Sequence, residues 1–277
     1  MRACELLLAV AFCMVVAAPG AALAAAPEGP AGQPLLSAPP RPPHSGPPRS
    51  SEADAAAYER CMKLAREDPA AARKLAQDWR ERDGGHPAEH CLAVALIGLR
   101  QYQDAASRLE TLAQAMVRAP AALRAEALGQ AGQAWLLAGD PARAHAAASL
   151  ALGLRPDDPD LLLDRAEAAG SAGWYDKAVA DLDRVLSADP ARVDALIYRA
   201  SANRARGRLD PAFDDISTAL RLAPDSVPAL LERGNIRLAR GDLDGARLDW
   251  RRVSTMAPGS PAAAAARKNL ERLAKGG

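Results

Sequence analysis

Residues 159–192 read PDLLLDRAEAAGSAGWYDKAVADLDRVLSADPAR. Two helices are written into them. Pro159 and Asp160 suit a first helical turn, because proline has no needed N–H there and an acid favours the positive end of the helix dipole. Leu162, Ala166 and Ala169 then recur at helical spacing along one face. Gly173 supplies the left-handed turn that ends the helix. Tyr175, Asp176 and Lys177 begin a second helix, with Ala178, Leu182, Val185 and Leu186 on its apolar side. Pro190, following Asp189, stops it. Neither helix can bury its apolar face alone, so the unit must stack on others.

The unit recurs. Ala144, Ala178, Ala212 and Ala246 stand 34 residues apart, and so do Gly139, Gly173, Gly207 and Gly241. Pro156, Pro190, Pro224 and Pro258 keep the same period, as do Leu128, Leu162, Leu196 and Leu230. A fixed period of this length marks a solenoid.

The frame resembles the tetratricopeptide repeat (TPR) family. That family favours a large apolar residue near position 4 of its unit, a small one at 8, Gly at 15, Ala at 20, apolar residues at 24 and 27, and Pro at 32. Those places hold Leu162, Ala166, Gly173, Ala178, Leu182, Val185 and Pro190 in one unit, and Leu196, Ala200, Gly207, Ala212, Ile216, Ala219 and Pro224 in the next. They hold Leu230, Gly234, Gly241, Ala246, Trp250, Val253 and Pro258 in the last, and Leu128, Gly132, Gly139, Ala144, Ala148, Ala151 and Pro156 in the first. The resemblance implies an all-α, right-handed solenoid of about six helix pairs plus a C-terminal capping helix. Full units are expected at 125–158, 159–192, 193–226 and 227–260, with the cap at 261–277.

Residues 51–124 are predicted as two degenerate pairs. Ala72 and Ala105 take the position-20 role, and Pro87 is expected to start the second pair. About five extra residues between Ala105 and Ala144 are expected in a longer second helix or a loop near Met116 to Ala121. Ahead of these pairs, residues 1–24 have the form of a signal peptide. Arg2 precedes an apolar run from Leu6 to Ala18, and Ala22-Leu23-Ala24 offers a cleavage site after Ala24. Export to a periplasm-like compartment or to the outside follows, with no stable membrane insertion once the signal is cut. Residues 25–50 hold nine prolines and are expected to form a disordered tether.

Formal charge is +1 and aromatic content 4%. The first argues against nucleic acid, whose binders usually carry a basic excess. The second argues against a glycan site, which wants stacking rings. No phosphate loop, metal motif, cofactor fingerprint or Ser/His/Asp set is present, so no catalytic residue, cofactor or metal site is expected. His86 and His90 have a helical spacing that could share a metal, but His86 precedes Pro87 and is expected outside the helix.

With Cys4 and Cys13 in the signal, Cys61 and Cys91 remain. In the family's stacking their helices are neighbours, which together with an even count in an exported chain suggests a Cys61–Cys91 disulfide. Arg165, Arg199 and Arg233 recur in step with Asp181, Asp215 and Asp249, suggesting charge pairs between the two helices of each unit. The family's ligand-facing positions hold Asp160, Leu163, Asp164 and Glu167, then Asp194, Ile197, Tyr198, Ser201 and Arg204, then Leu231, Glu232 and Asn235. Such a lining suits a protein or peptide partner with basic and apolar residues, received in a concave groove. The alternatives are an accessory subunit of an envelope assembly that binds through its convex face, and a small-molecule binder.

Overall fold

The computed structural model describes residues 51–275, and every regular element in them is an α-helix. In chain order these are α1 (Ser51–Glu67), α2 (Pro69–Glu81), α3 (Gly85–Gly98), α4 (Tyr102–Ala115), α5 (Ala121–Leu137), α6 (Pro141–Leu154) and α7 (Pro159–Ser171). They continue as α8 (Tyr175–Ala188), α9 (Val193–Ala205), α10 (Leu209–Leu222), α11 (Val227–Ala239), α12 (Leu243–Met256) and α13 (Pro261–Lys275). The expected signal peptide and proline-rich tether lie outside the described residues.

Local chemistry sets the helix ends. The carboxylates of Asp68, Asp140, Asp158 and Asp242 accept N-cap hydrogen bonds from the first free backbone amides of α2, α6, α7 and α12. Ser226 does the same for α11 and Ser260 for α13. Between the helices of each full unit the backbone turns left-handed at Gly139, Gly173, Gly207 and Gly241, with φ of 78°, 78°, 73° and 83°. In the degenerate α3–α4 pair the same turn is made by Arg100 at φ 60°.

Successive helices pack as antiparallel pairs that stack in chain order. Odd-numbered helices also touch one another, α1 with α3, α5 with α7, α7 with α9, α9 with α11 and α11 with α13. No two even-numbered helices meet to a comparable extent. A stack tighter on one side than the other curves toward the tight side, so the odd-numbered helices line the concave face.

The core is made of small residues in close contact. Ala144, Ala178, Ala212 and Ala246 are all buried. A Cβ on Gly132 would meet the Ala144 carbonyl oxygen at 3.3 Å. A Cβ on Gly234 would fall 2.5 Å from Nε1 of Trp250, which is wholly buried. Between the helices of three units runs the expected charge pair. Arg165 donates twice to Asp181, both at 2.7 Å, Arg199 donates to Asp215 at 2.9 and 2.7 Å, and Arg233 donates to Asp249 at 2.9 and 2.6 Å. The two-pronged geometry fixes how each second helix sits on its first. In the 125–158 unit the same two slots hold Ala131 and Ala147, both fully buried.

Three local expectations need correcting. The second pair begins at Gly85 rather than Pro87, so His86 lies in the first turn of α3, where it is exposed. The extra residues between Ala105 and Ala144 do not lengthen the second helix, since α4 has the usual 14 residues. They extend α5 at its start, to 17 residues against 13 in α7, α9 and α11, with one more in the connection before it. Ala121 can begin the helix early because Pro120 fixes the chain entering it and needs no amide partner.

Candidate functional site

The concave face is built from columns. Counted from Ala125, Pro159, Val193 and Val227, the sixth residues are Gln130, Asp164, Tyr198 and Glu232. The ninth residues are Gln133, Glu167, Ser201 and Asn235, and Asn269 continues that column in α13. The helical repeat puts these two positions one turn apart on the same side, so each column meets its neighbour across the odd-numbered helices.

Every neighbouring pair of odd-numbered helices is bridged there. Gln133 Nε2 donates to Asp164 Oδ1 at 3.4 Å, joining α5 to α7. The Tyr198 hydroxyl donates to Glu167, joining α7 to α9. Arg204 Nε donates to Glu232 Oε1 at 2.6 Å, joining α9 to α11. Asn269 Nδ2 donates to Asn235 Oδ1 at 3.1 Å, joining α11 to α13. Towards the N-terminus His90 lies between Tyr58 Oη and Gln130 Oε1, 2.8 Å from each, and so joins α1, α3 and α5. Gln130 presents its carbonyl oxygen, so Nε2 of His90 carries the proton and Nδ1 accepts from Tyr58. Cys61 and Cys91 are joined between α1 and α3, with an S–S distance of 2.02 Å.

Charge is spread unevenly along this face. Asp160 and Asp194 share Arg192, whose Nη2 lies 2.8 Å from Asp160 and whose Nε lies 2.9 Å from Asp194. Asp164 and Glu167 have polar partners but no ion pair among the described residues. Burial pushes Asp164 up to about 7, with Glu167, Asp160 and Asp158 adding repulsion and the Gln133 hydrogen bond opposing it. Burial likewise raises Glu167, against the hydrogen bond from Tyr198. The Tyr198 phenol is raised by its own burial and by the Glu167 charge, so it stays a donor. The centre of the face therefore carries an acidic site with no ion pair among the described residues, while the α9–α11 end is internally paired.

The expected lining is thus only partly available. Leu163, Ile197 and Leu231 are half-buried and pack against the core with one edge open. Asp160 is exposed on this side of the stack, and Asp164, Glu167, Asp194 and Tyr198 are half-buried there. Ser201 and Glu232 are buried, at 5% and 7% exposure, and are not offered to solvent. Arg204 and Asn235 are committed to Glu232, because its buried carboxylate needs both donors. Ser201 is too short to reach the next column, and its Oγ has no partner among the described residues. The bridging residues Tyr58, His90, Gln130, Gln133, Arg192 and Asn269 were not in the expected lining. Extending the column count into the first full unit and into α13 finds Gln130, Gln133 and Asn269, whereas Arg192 ends a unit and shows no such signal.

His90 is held in its bridge, and among the described residues no three His, Cys, Asp or Glu side chains converge as a metal site. No helix among the described residues is long and apolar enough to cross a membrane. The face can offer a curved surface, a row of apolar edges and an acidic centre.

No family model matches the sequence, and no curated protein matches it. Solved structures do. TTC0263, a thermophilic TPR protein of Thermus thermophilus, is 18% identical with a TM-score of 0.54, covering 68% of this chain and 98% of its own. MamA is 14% identical with a TM-score of 0.50, covering 60% of this chain and 94% of its own. The first TPR of Spaghetti (RPAP3), solved bound to the HSP90 peptide SRMEEVD, is 25% identical over 42% of this chain and 90% of its own, with a TM-score of 0.39. With its 34-residue period, its stacked helix pairs and the fold it shares with TTC0263 and MamA, the chain is a tetratricopeptide-repeat solenoid.

Proposed function

We propose that this protein is a non-enzymatic scaffold that receives a segment of a protein partner in its concave groove, in the cell envelope or outside the cell. The observation that carries the reading is the acidic centre of the concave face. Asp164 and Glu167 lie in a largely desolvated surface with no ion pair among the described residues, flanked by the apolar edges of Leu163 and Ile197. A partner's lysine or arginine placed there would gain a charge-assisted contact and relieve the repulsion among the acids. A partner strand or helix with alternating basic and apolar residues fits that lining. Export rests on the form of residues 1–24, and the Cys61–Cys91 bond is consistent with an oxidising compartment.

Fluorescence polarisation against a panel of labelled peptides, basic and apolar in one arm and acidic in the other, tests the groove. Basic peptides should bind the full chain, and Asp164→Lys with Glu167→Lys should lose them at unchanged helical content. Binding that survives the two charge reversals would move recognition off this face. Amino-terminal sequencing of the protein recovered from its native compartment tests export, with Ala25 expected first.

A further inference from the structure

The acidic centre of the concave face has a counterpart at the C-terminal end of the chain. There α13 packs on α11 and α12, with Ala266, Leu270 and Leu273 set against the core. On its other side Ala264, Lys268, Glu271, Arg272 and Lys275 follow one another at helical spacing, and all five are exposed. Among the described residues Lys268, Arg272 and Lys275 have no ion pair. The stripe is therefore basic and uncompensated, just as Asp164 and Glu167 are acidic and without an ion pair among the described residues.

The two features do not meet within one molecule. Asp164 and Glu167 stand on α7, and α9 and α11 separate that helix from α13 in the stack. The basic stripe lies on the side of α13 opposite Ala266, Leu270 and Leu273, so it faces away from α11 and from the acids. Their complementarity can be met only between molecules. The stripe is a basic segment already held as a helix, so little ordering cost falls on its docking. Ala264 in the stripe leaves room for the half-open edges of Leu163 and Ile197. We propose that a second copy of the chain docks the basic stripe of its α13 into the acidic concave groove, and that two such contacts, exchanged about a two-fold axis, close a dimer. The proposal rests on the groove reading given above, and it makes the second copy a competitor of any outside partner for the same acids.

Sedimentation equilibrium of the full chain tests this. Burial pushes Asp164 up to about 7, so the measurement is made at pH 8 to keep it charged. The native chain should have the mass of two copies and fall to one as salt screens the contact. Lys268→Glu with Arg272→Glu should be monomeric alone, and so should Asp164→Lys with Glu167→Lys. Mixed, the two variants should regain the mass of two chains, because each then offers the other a groove of opposite charge to its stripe. A native chain that stays single, a dimer that survives the Lys268 and Arg272 reversals, or a mixture of folded variants that stays monomeric would overturn the proposal. Lys268 and Arg272 are exposed, so their reversal decides the matter alone should the groove variant lose helical content. Fluorescence polarisation separates this proposal from the groove reading. The Lys268→Glu, Arg272→Glu chain should bind the labelled basic peptides more tightly than the native chain, its groove being open. Peptide bound equally well by a native chain that is always monomeric would overturn the dimer and keep the groove, whereas no peptide binding by either chain would overturn both.

Discussion

Cys61 is bonded to Cys91 in the register slot that further along the stack is filled by hydrogen bonds. Counting from Ala72 and Ala105 as position 20, Cys61 is a ninth residue and Cys91 a sixth, which is how Glu167 meets Tyr198. A bond there would be a covalent rung at the least regular end. Closing a loop of this length contributes about 3 kcal/mol in the chain-entropy description. Cys61→Ser with Cys91→Ser should therefore lower the denaturation midpoint, and reductant should lower it for the native chain only. Intact mass without reductant should be two hydrogens lighter than the thiol form, and a full-weight chain would show the cysteines free.

Arg165 and Asp181 should be worth more as a pair than as individuals. Asp181 is buried, and removing its arginine leaves a carboxylate without a cation. Arg165→Ala should cost about 2–4 kcal/mol. Adding Asp181→Ala should return part of that loss, because Ala131 and Ala147 show the stack accepting alanine in both slots. Chemical denaturation of the two singles and the double closes the cycle. Additive losses would mean that the two residues are not coupled.

Asp164 should make stability fall with rising pH. Its folded carboxyl holds a proton up to about 7, whereas the unfolded one releases it near 3.8. Between those values the native state binds more protons than the unfolded state, so this group weakens the fold as pH climbs through the window. Asp164→Asn should match the native chain near pH 4 and melt higher at pH 8. Melting curves that stay parallel from pH 4 to 8 would place the carboxyl in water.

Arg100→Gly should stabilise the protein. Arg100 is exposed and holds φ at 60°, a conformation that costs a side chain of this kind about 1–2 kcal/mol. Glycine gives back part of that through its larger unfolded-state freedom, leaving a net gain of about 0.5–1 kcal/mol. A lower melting temperature would show that the side chain makes a contact worth more than the strain.

The period in the sequence carried the architecture because each column answers one packing demand. Ala178 and its equivalents sit where two helix axes come closest, and the equivalents of Gly173 sit where the backbone must turn left-handed. Arg165 and Asp181 were legible as a pair because they recur together. The concave face was less legible, since register gives the side of a helix a residue occupies but not which neighbour consumes it. Glu232 and Asp164 hold the same place in their units, yet the first is paired with Arg204 and the second has only the Gln133 amide as a partner among the described residues. That difference depends on side chains one turn further along, which repeat only loosely. The longer α5 was misplaced for a related reason, as length alone does not say which helix absorbs an insertion.

The bridges across the odd-numbered helices also set how the molecule yields when bent. The inner layer is braced from helix to helix by these bridges, so a force that straightens the curve strains them, while on the outer side Arg184 and Arg252 tie α8 and α12 back to Asp157 and Asp225. The Gln133–Asp164 bridge is a long one, at 3.4 Å, and burial of its acceptor favours the protonated form. On one side of that bridge the Cys61–Cys91 pair spans α1 and α3, and on the other the arginine–aspartate pairs tie the helices of each unit, so a pull on the groove is shared between two differently braced arms.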